Sequence, residues 1–335
     1  MVLVTGGTGL VGAHLLLHLL QNNTKVRATY REGSPLAKVE KVFSYYTDKA
    51  SKLYDKIEWV KADINDIPAL QIAFENVEYV YHAAAFISFD PKDYYKLKKT
   101  NAQGTANIVN LCLSNSVKKL CYVSTIAAIG KSKKDRKANE NNEWAGHDAN
   151  VYALTKYSAE MEVWRGSQEG LQVVIVNPGV IIGPGFWEQG SGKLFATAHK
   201  GRDYYPTGGT GFIAVNDVVK IMVGLMQSDI FSQRFIAVSE NLTYKEVLTR
   251  LAKALGKKVP SKMLRPWHLR LFRFLDFISN LLTGSKRRIT QKTIKSLKHT
   301  EIYDNRKIIE TLGIQFEDLN ETIKFCSKIF KEAYR

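Results

Sequence analysis

Tyr152 and Lys156 stand four residues apart in Tyr152-Ala153-Leu154-Thr155-Lys156, at the start of a stretch with helical periodicity. On a helix that spacing puts both side chains on one face. A free phenol titrates at about pH 10, too high for a base at neutral pH, and an adjacent ammonium favours its ionised form. Such a pair can exchange a proton with a hydroxyl or carbonyl group. Upstream, Tyr122-Val123-Ser124-Thr125 brings two hydroxyls to the end of an apolar run, where a third member of the site would sit. A Tyr and a Lys at this spacing are common on surfaces, so what precedes them decides their meaning.

What precedes them is a glycine turn. The apolar run Val2–Thr5 leads into Gly6-Gly7-Thr8-Gly9-Leu10-Val11-Gly12, and an amphipathic helix follows. In the spacing G-x-x-G-x-x-G the first glycine permits a tight turn. The second lets a pyrophosphate approach the backbone, and the third lets helix pack on strand. The helix start offers N–H donors and a partial positive charge to phosphates. Gly6, Thr8, Gly9, Leu10, Val11 and Gly12 are therefore the expected dinucleotide cradle. Beside a nicotinamide, Tyr152 would exchange its proton while the cofactor exchanges hydride. The second strand ends Val26-Arg27-Ala28-Thr29-Tyr30-Arg31, without the acid that holds the ribose hydroxyls in NAD sites. Arg31 can pair with a 2′-phosphate, and Lys38 lies one or two helical turns on. NADP(H) is thus expected over NAD(H), with Glu32 as the alternative ribose ligand.

These pieces, with others in the same order, resemble the extended short-chain dehydrogenase/reductases. That family includes sugar-nucleotide epimerases, 3β-hydroxysteroid dehydrogenases and dihydroflavonol 4-reductases. The matching segments are Thr5–Gly12, Ala62-Asp63-Ile64, His82-Ala83-Ala84-Ala85, Asn101–Thr105, Ser124-Thr125, Tyr152-x-x-x-Lys156 and Asn177–Pro184. The resemblance covers nearly the whole chain. It implies that Asp63 and Ile64 meet the adenine, and that Ala83, Ala84 and Ala85 pass along the cofactor. Pro178, Gly179 and Val180 would line the nicotinamide. Asn101 would support the site through a water near Lys156. Counting back five from Gly130 puts Thr125 at the catalytic Ser/Thr position, with Ser124 as its neighbour. Tyr152 would be general acid/base, and Lys156 would tune it and hold the ribose. Val26–Arg31 is similar to dihydroflavonol reductases, which use NADPH, and Lys38 matches a second phosphate contact there. Asn177, where many sugar-nucleotide enzymes carry Arg, and Asn216 depart from the epimerase pattern at positions expected to lie outside the chemistry.

The implied activity is hydride transfer between NADP(H) and a secondary alcohol or ketone, as in dihydroflavonol reductases. A sugar-nucleotide epimerase or dehydratase is the enzymatic alternative. A non-catalytic cofactor sensor is the alternative of another class, but a sensor has no need of the Thr125–Tyr152–Lys156 set.

The elements needed to position these residues are legible. Short apolar runs at Val2–Thr5, Lys25–Tyr30, Ile57–Lys61, Tyr79–Ala83, Lys119–Ser124, Gln172–Asn177 and Phe235–Val238 alternate with helical periods. The helical periods fall at Leu10–Gln21, Ile67–Glu75, Asp93–Leu113, Tyr152–Ser167 and Asn216–Ser228. Alternation of this kind argues an α/β doubly wound parallel sheet, a Rossmann fold. After about residue 240 strands are not expected, and helices follow, including one over Pro266–Leu282. The reading is a nucleotide-binding domain over 1–180 and 212–240, with a smaller, mainly helical substrate lobe over 181–211 and 241–335.

The 335 residues are 45% hydrophobic and 24% charged, which excludes a disordered chain. Three cysteines make no disulfide framework, and no targeting segment, bilayer-spanning run or metal-ligand spacing is visible, so a cytoplasmic location is expected. His82, beside three alanines, is expected to be packed rather than a base. The net charge is +16. Twelve Lys and Arg against Asp276 alone fall within 257–300. Such a segment could lie on an anionic membrane through 263–300. The preferred reading has its apolar face lining the substrate lobe. Lys131, Lys133, Lys134, Arg136 and Lys137 are expected in a solvated loop. No nucleic-acid motif accompanies the charge. The expected partner is a small-molecule substrate, and helices 93–113 and 152–167 could pair two copies of the chain.

Overall fold

A computed structural model describes residues 1–132, 137–146, 149–265, 267–268 and 291–334. Its centre is a sheet of seven parallel strands: β1 (Val2–Thr5), β2 (Val26–Tyr30), β3 (Glu58–Lys61), β4 (Tyr79–His82), β5 (Lys119–Val123), β6 (Gln172–Pro178) and β10 (Gln233–Ala237). The spatial order is β10-β6-β5-β4-β1-β2-β3. The order reverses between β1 and β4, and a doubly wound sheet offers its crevice at the strand ends beside that point.

The strands are near-continuous apolar runs because both faces are covered. Successive side chains point to opposite faces. Leu3, Val80, Val173 and Ile175 join one core with helices Ile67–Phe74, Gly104–Ser114 and Val151–Gln168. Val4, Val174 and Val176 join the other with helices Leu10–Gln21, Leu36–Ser44 and Val215–Gln227. Each expected strand is present, β1 with the expected bounds and the others with one or both ends moved by one or two residues.

The structure corrects two expectations. Strands do not stop at residue 240. β7 (Val180–Ile182), β9 (Gly209–Ala214) and β11 (Glu240–Thr243) form a second sheet, and β8 (Tyr204–Tyr205) pairs with β12 (Lys262–Met263). These strands are short, and Gly179 and Gly211 sit so close that a Cβ on Gly179 would lie 2.4 Å from the Gly211 carbonyl oxygen. Backbone contact of that kind leaves no side-chain alternation to read. The continuous helix expected over Asp93–Leu113 is also interrupted, by a π-helical turn at Lys98–Gln103. A π turn holds one extra residue per hydrogen-bonded ring, and such turns are frequent at functional sites. A third core, of Ile182, Trp187, Phe195, Phe212, Leu251 and Phe330, lies under helices Gly192–His199, Tyr244–Leu255 and Leu319–Ala333. The helix expected over Pro266–Leu282 falls almost wholly outside the described residues, as do Lys133, Lys134 and Arg136 of the charged loop.

Candidate active site

The glycine turn closes at the end of β1. Gly6 has φ +75°, a conformation that glycine adopts at no steric cost. A Cβ there would lie 2.6 Å from the Ala84 backbone nitrogen, so the turn presses against the segment leaving β4. A Cβ on Gly12 would lie 2.1 Å from the Gly6 carbonyl oxygen. Gly9 differs: with φ −101° its Cβ would meet only that oxygen, at an ordinary 3.4 Å. Gly9 is the N-cap of helix Leu10–Gln21, gives it no side-chain cap, and the first turn holds no acid. The positive end of the helix is thus left for an external anion. Thr8, Leu10 and Val11 are partly exposed around it. The cradle fits a dinucleotide pyrophosphate.

The proton-handling groups meet at the end of β5. Asn150 caps helix Val151–Gln168 by accepting from the Ala153 backbone N–H at 2.9 Å, which fixes the first turn and with it Tyr152. The Tyr152 phenol lies beside the Thr125 side chain. Thr125 Oγ1 also accepts from the Ala127 N–H at 3.2 Å. Of the two upstream hydroxyls, Thr125 faces Tyr152 and Ser124 does not. Ser124 Oγ donates to the buried Glu160 carboxylate at 2.5 Å.

Lys156 is 2% exposed. Its ammonium donates to the Tyr122 hydroxyl at 2.6 Å and to the Val123 carbonyl at 2.8 Å. Burial pushes it down to about 7, opposed by Glu160 one helical turn away. The Tyr152 phenol is pushed up to about 12 by burial, with Thr125 acting the other way. This reverses the expectation that Lys156 lowers the phenol. The ammonium is tied to Tyr122 and Val123 of β5, and burial sets the direction of the phenol. At neutral pH Tyr152 therefore carries its proton.

Two buried networks hold this geometry. Glu160 also accepts from Asn177 Nδ2 at 2.9 Å and pairs with Arg234 at 3.0 Å, and Asn177 Nδ2 reaches the Thr125 carbonyl at 3.0 Å. Asn177 thus holds the Thr125 backbone without touching the Tyr152 phenol or the Thr125 hydroxyl. Glu160, Arg234 and Tyr122 were not anticipated. Glu160 carried a signal, since it continues the Tyr152, Lys156 spacing by another four residues. In the second network His82 bridges Thr5, at 2.6 Å, and Thr105, at 3.0 Å. Burial holds its imidazole down to about 3, so it is neutral and packed. Asn101, in the π-helical turn, exchanges two hydrogen bonds with the Phe86 backbone and donates to Thr155 Oγ1 at 3.2 Å. It thereby ties the segment after β4 to the helix of Tyr152 and Lys156.

The remaining expected cofactor residues ring the same strand ends. Ala83 N–H donates to the Thr5 carbonyl at 3.1 Å, and Ala84 and Ala85 follow it. Asp63 accepts from the Asn65 backbone N–H at 2.8 Å, and Ile64 packs on Gly104. Pro178 ends β6, Gly179 N–H donates to the Ala237 carbonyl at 3.0 Å, and Val180 begins β7. Arg31 and Lys38 are exposed beyond β2, with no ion pair among the described residues, whereas Glu32 pairs with Lys61 at 3.0 Å.

Lys156 gives a pH signature. Its pKa is about 7 in the folded chain against 10.5 for a free lysine. Between those values the unfolded chain binds a proton that the folded chain releases, so stability rises with pH across that window. Denaturant unfolding should show this rise between about pH 7 and about pH 9 in the wild type, and a flatter curve in Lys156→Met. Equal slopes would show that the buried lysine keeps its usual pKa.

A doubly wound sheet, a glycine cradle at its switch point and a Thr–Tyr–Lys set at the next strand end define a nicotinamide-dependent enzyme. Residues 2–235 match the family model described as the NAD dependent epimerase/dehydratase family; the chain belongs to that family and is an NAD(P)-dependent enzyme of the extended short-chain dehydrogenase/reductase type. It is 27% identical over 333 residues to a Synechocystis protein with the provisional name dihydroflavonol 4-reductase, covering 96% of this chain and 91% of that one. It is 28% identical to the sterol demethylase protein B of Methylococcus capsulatus, covering 79% and 77%. The UDP-glucose 4-epimerase of Thermus thermophilus, solved with NAD, shares the fold, with a TM-score of 0.75 at 21% identity over 99% of each chain. No helix among the described residues is long and apolar enough to cross a membrane.

Proposed function

We propose that the chain is an NADP(H)-dependent oxidoreductase of a secondary alcohol or ketone, similar in chemistry to dihydroflavonol reductases. The observation that carries this reading is the placing of Tyr152 beside Thr125, with Lys156 bound to the end of β5, next to the glycine cradle. The bound nicotinamide supplies or accepts the hydride. Tyr152, protonated at neutral pH, donates its proton to the developing alkoxide in the reducing direction. Thr125, beside Tyr152, would hydrogen-bond the reacting oxygen and orient it. Lys156 lies below them and, with Tyr152, would meet the ribose. Gly6, Gly9, Gly12 and the helix they open would hold the pyrophosphate. Asp63, Ile64, Ala83, Ala84, Ala85, Ser124, Pro178, Gly179 and Val180 would line the rest of the cofactor.

An apolar substrate is favoured by the surface next to Tyr152. Phe89 meets the Tyr152 ring edge-on at 5.6 Å, and Phe89 and Ile87 are 50% and 53% exposed. The names of the relatives, a dihydroflavonol reductase and a sterol enzyme, point the same way. A screen of NADPH oxidation against ring-bearing ketones and nucleotide sugars tests the reading. Oxidation with ketones is expected. Turnover of nucleotide sugars alone, with no net cofactor change, would replace it with an epimerase.

The preference for NADP(H) rests on Arg31 and Lys38 at the rim, and on the engagement of Glu32 by Lys61. A charge-assisted hydrogen bond to a 2′-phosphate is worth about 1.5–3 kcal/mol, or roughly ten- to a hundredfold in affinity. Arg31→Ala should weaken NADPH by about that factor and leave NADH nearly unchanged, with the difference shrinking as salt rises. Calorimetric titration of both cofactors checks this. Equal wild-type affinity for NADH and NADPH would reassign the rim to NAD, with Glu32 as the ribose ligand.

A further inference from the structure

We propose that the face formed by helix Gly192–His199, β8 and β12 docks on an anionic lipid bilayer. Residues 191–205 carry Lys193, Lys200 and Arg202, and residues 256–268 carry Lys257, Lys258, Lys262 and Arg265. The one carboxylate in these two stretches is Asp203, already paired with Lys258 at 2.7 Å. All seven cations are exposed.

The two stretches form one surface. β8 and β12 pair Tyr204 with Lys262 and Tyr205 with Met263. Lys193, Lys200 and Arg202 line one depression of about 340 Å³, and Arg202 lines a second with Lys258 and Tyr204. Apolar and aromatic groups stand among the charges. Trp267 stacks on His268 at 3.7 Å, and His268 lies 5.3 Å from the Tyr204 ring. Trp267, Met263 and Tyr204 are 56%, 48% and 41% exposed.

Side chains that face solvent in this way are open to a partner. Cations interleaved with exposed Trp, Tyr and Met match the headgroup layer of a bilayer, where ammonium and guanidinium groups meet lipid phosphate and the apolar groups enter the acyl boundary. A nucleic-acid duplex, whose bases are already stacked and paired, would use the cations but leave Met263 and Trp267 in water.

The test is co-sedimentation of the full chain with vesicles of phosphatidylcholine alone, or of phosphatidylcholine with phosphatidylglycerol, at low and high salt. Duplex DNA in a gel-shift assay is the second arm. Pelleting is expected with the anionic vesicles only, and high salt should abolish it. Each cation removed should lower the partition coefficient about fivefold, so Lys193→Glu, Lys200→Glu and Arg202→Glu together should lower it at least about a hundredfold. Trp267→Ser should weaken vesicle binding while leaving its salt dependence intact. The proposal is overturned if wild type stays in the supernatant with anionic vesicles at low salt, or if neutral vesicles pellet it equally. It is also overturned if DNA binds with similar salt dependence and Trp267→Ser changes neither interaction, which would mark a polyanion site.

Discussion

Tyr152→Phe should bind cofactor like the wild type and turn over about 10²–10⁴-fold more slowly, the usual worth of a positioned general acid. The substitution removes one oxygen. The ring keeps its place against Phe89, and the N-cap at Asn150 is untouched. The loss should therefore fall on kcat, with little change in stability. Thr125→Val should produce a smaller loss of the same kind, since it removes the hydroxyl beside the phenol but leaves the proton donor. Near-normal turnover by Tyr152→Phe, in an assay limited by chemistry, would sink the proposed role.

The glycine cradle should separate two kinds of damage. In Gly12→Val the new Cβ would lie 2.1 Å from the Gly6 carbonyl oxygen, inside the folded turn itself. Overpacking against backbone costs about 1–3 kcal/mol or more. Gly12→Val should therefore lower the melting temperature and weaken cofactor binding by at least about a hundredfold. In Gly9→Ala the Cβ meets the protein only at 3.4 Å, an ordinary contact, at a φ open to any residue. It should keep the wild-type melting temperature and still bind cofactor poorly, because the methyl group occupies the approach of the pyrophosphate. Wild-type affinity in Gly9→Ala would mean that the phosphates do not approach there.

Much of this site is local in sequence. The Tyr152, Lys156 spacing, the glycine triplet and the apolar strands each span few residues, and local patterns survive in a sequence. The parts that were missed are contacts across distance. Glu160 meets Ser124, Asn177 and Arg234 from separate elements; its spacing from Lys156 puts it on the same helix face but does not reveal that its carboxylate is fully buried there. The direction of Lys156 was also hidden. Helical spacing puts it on the Tyr152 face, but the Tyr122 hydroxyl and the Val123 carbonyl decide where its ammonium rests. The π-helical turn at Lys98–Gln103 escaped for another reason: a single wide turn barely disturbs the apolar period on either side, yet it delivers Asn101 to Phe86 and Thr155.

The central claim is net hydride transfer between NADP(H) and an external alcohol or ketone at Tyr152. Its most direct test follows deuterium from NADPH carrying deuterium at both C4 positions of the nicotinamide ring, in the presence of a ring-bearing ketone turned over in the screen. One deuterium is expected on the product carbinol carbon for each cofactor oxidised, with loss of that transfer in Tyr152→Phe. Product formed without deuterium, and with the cofactor recovered in its starting redox state, would contradict it.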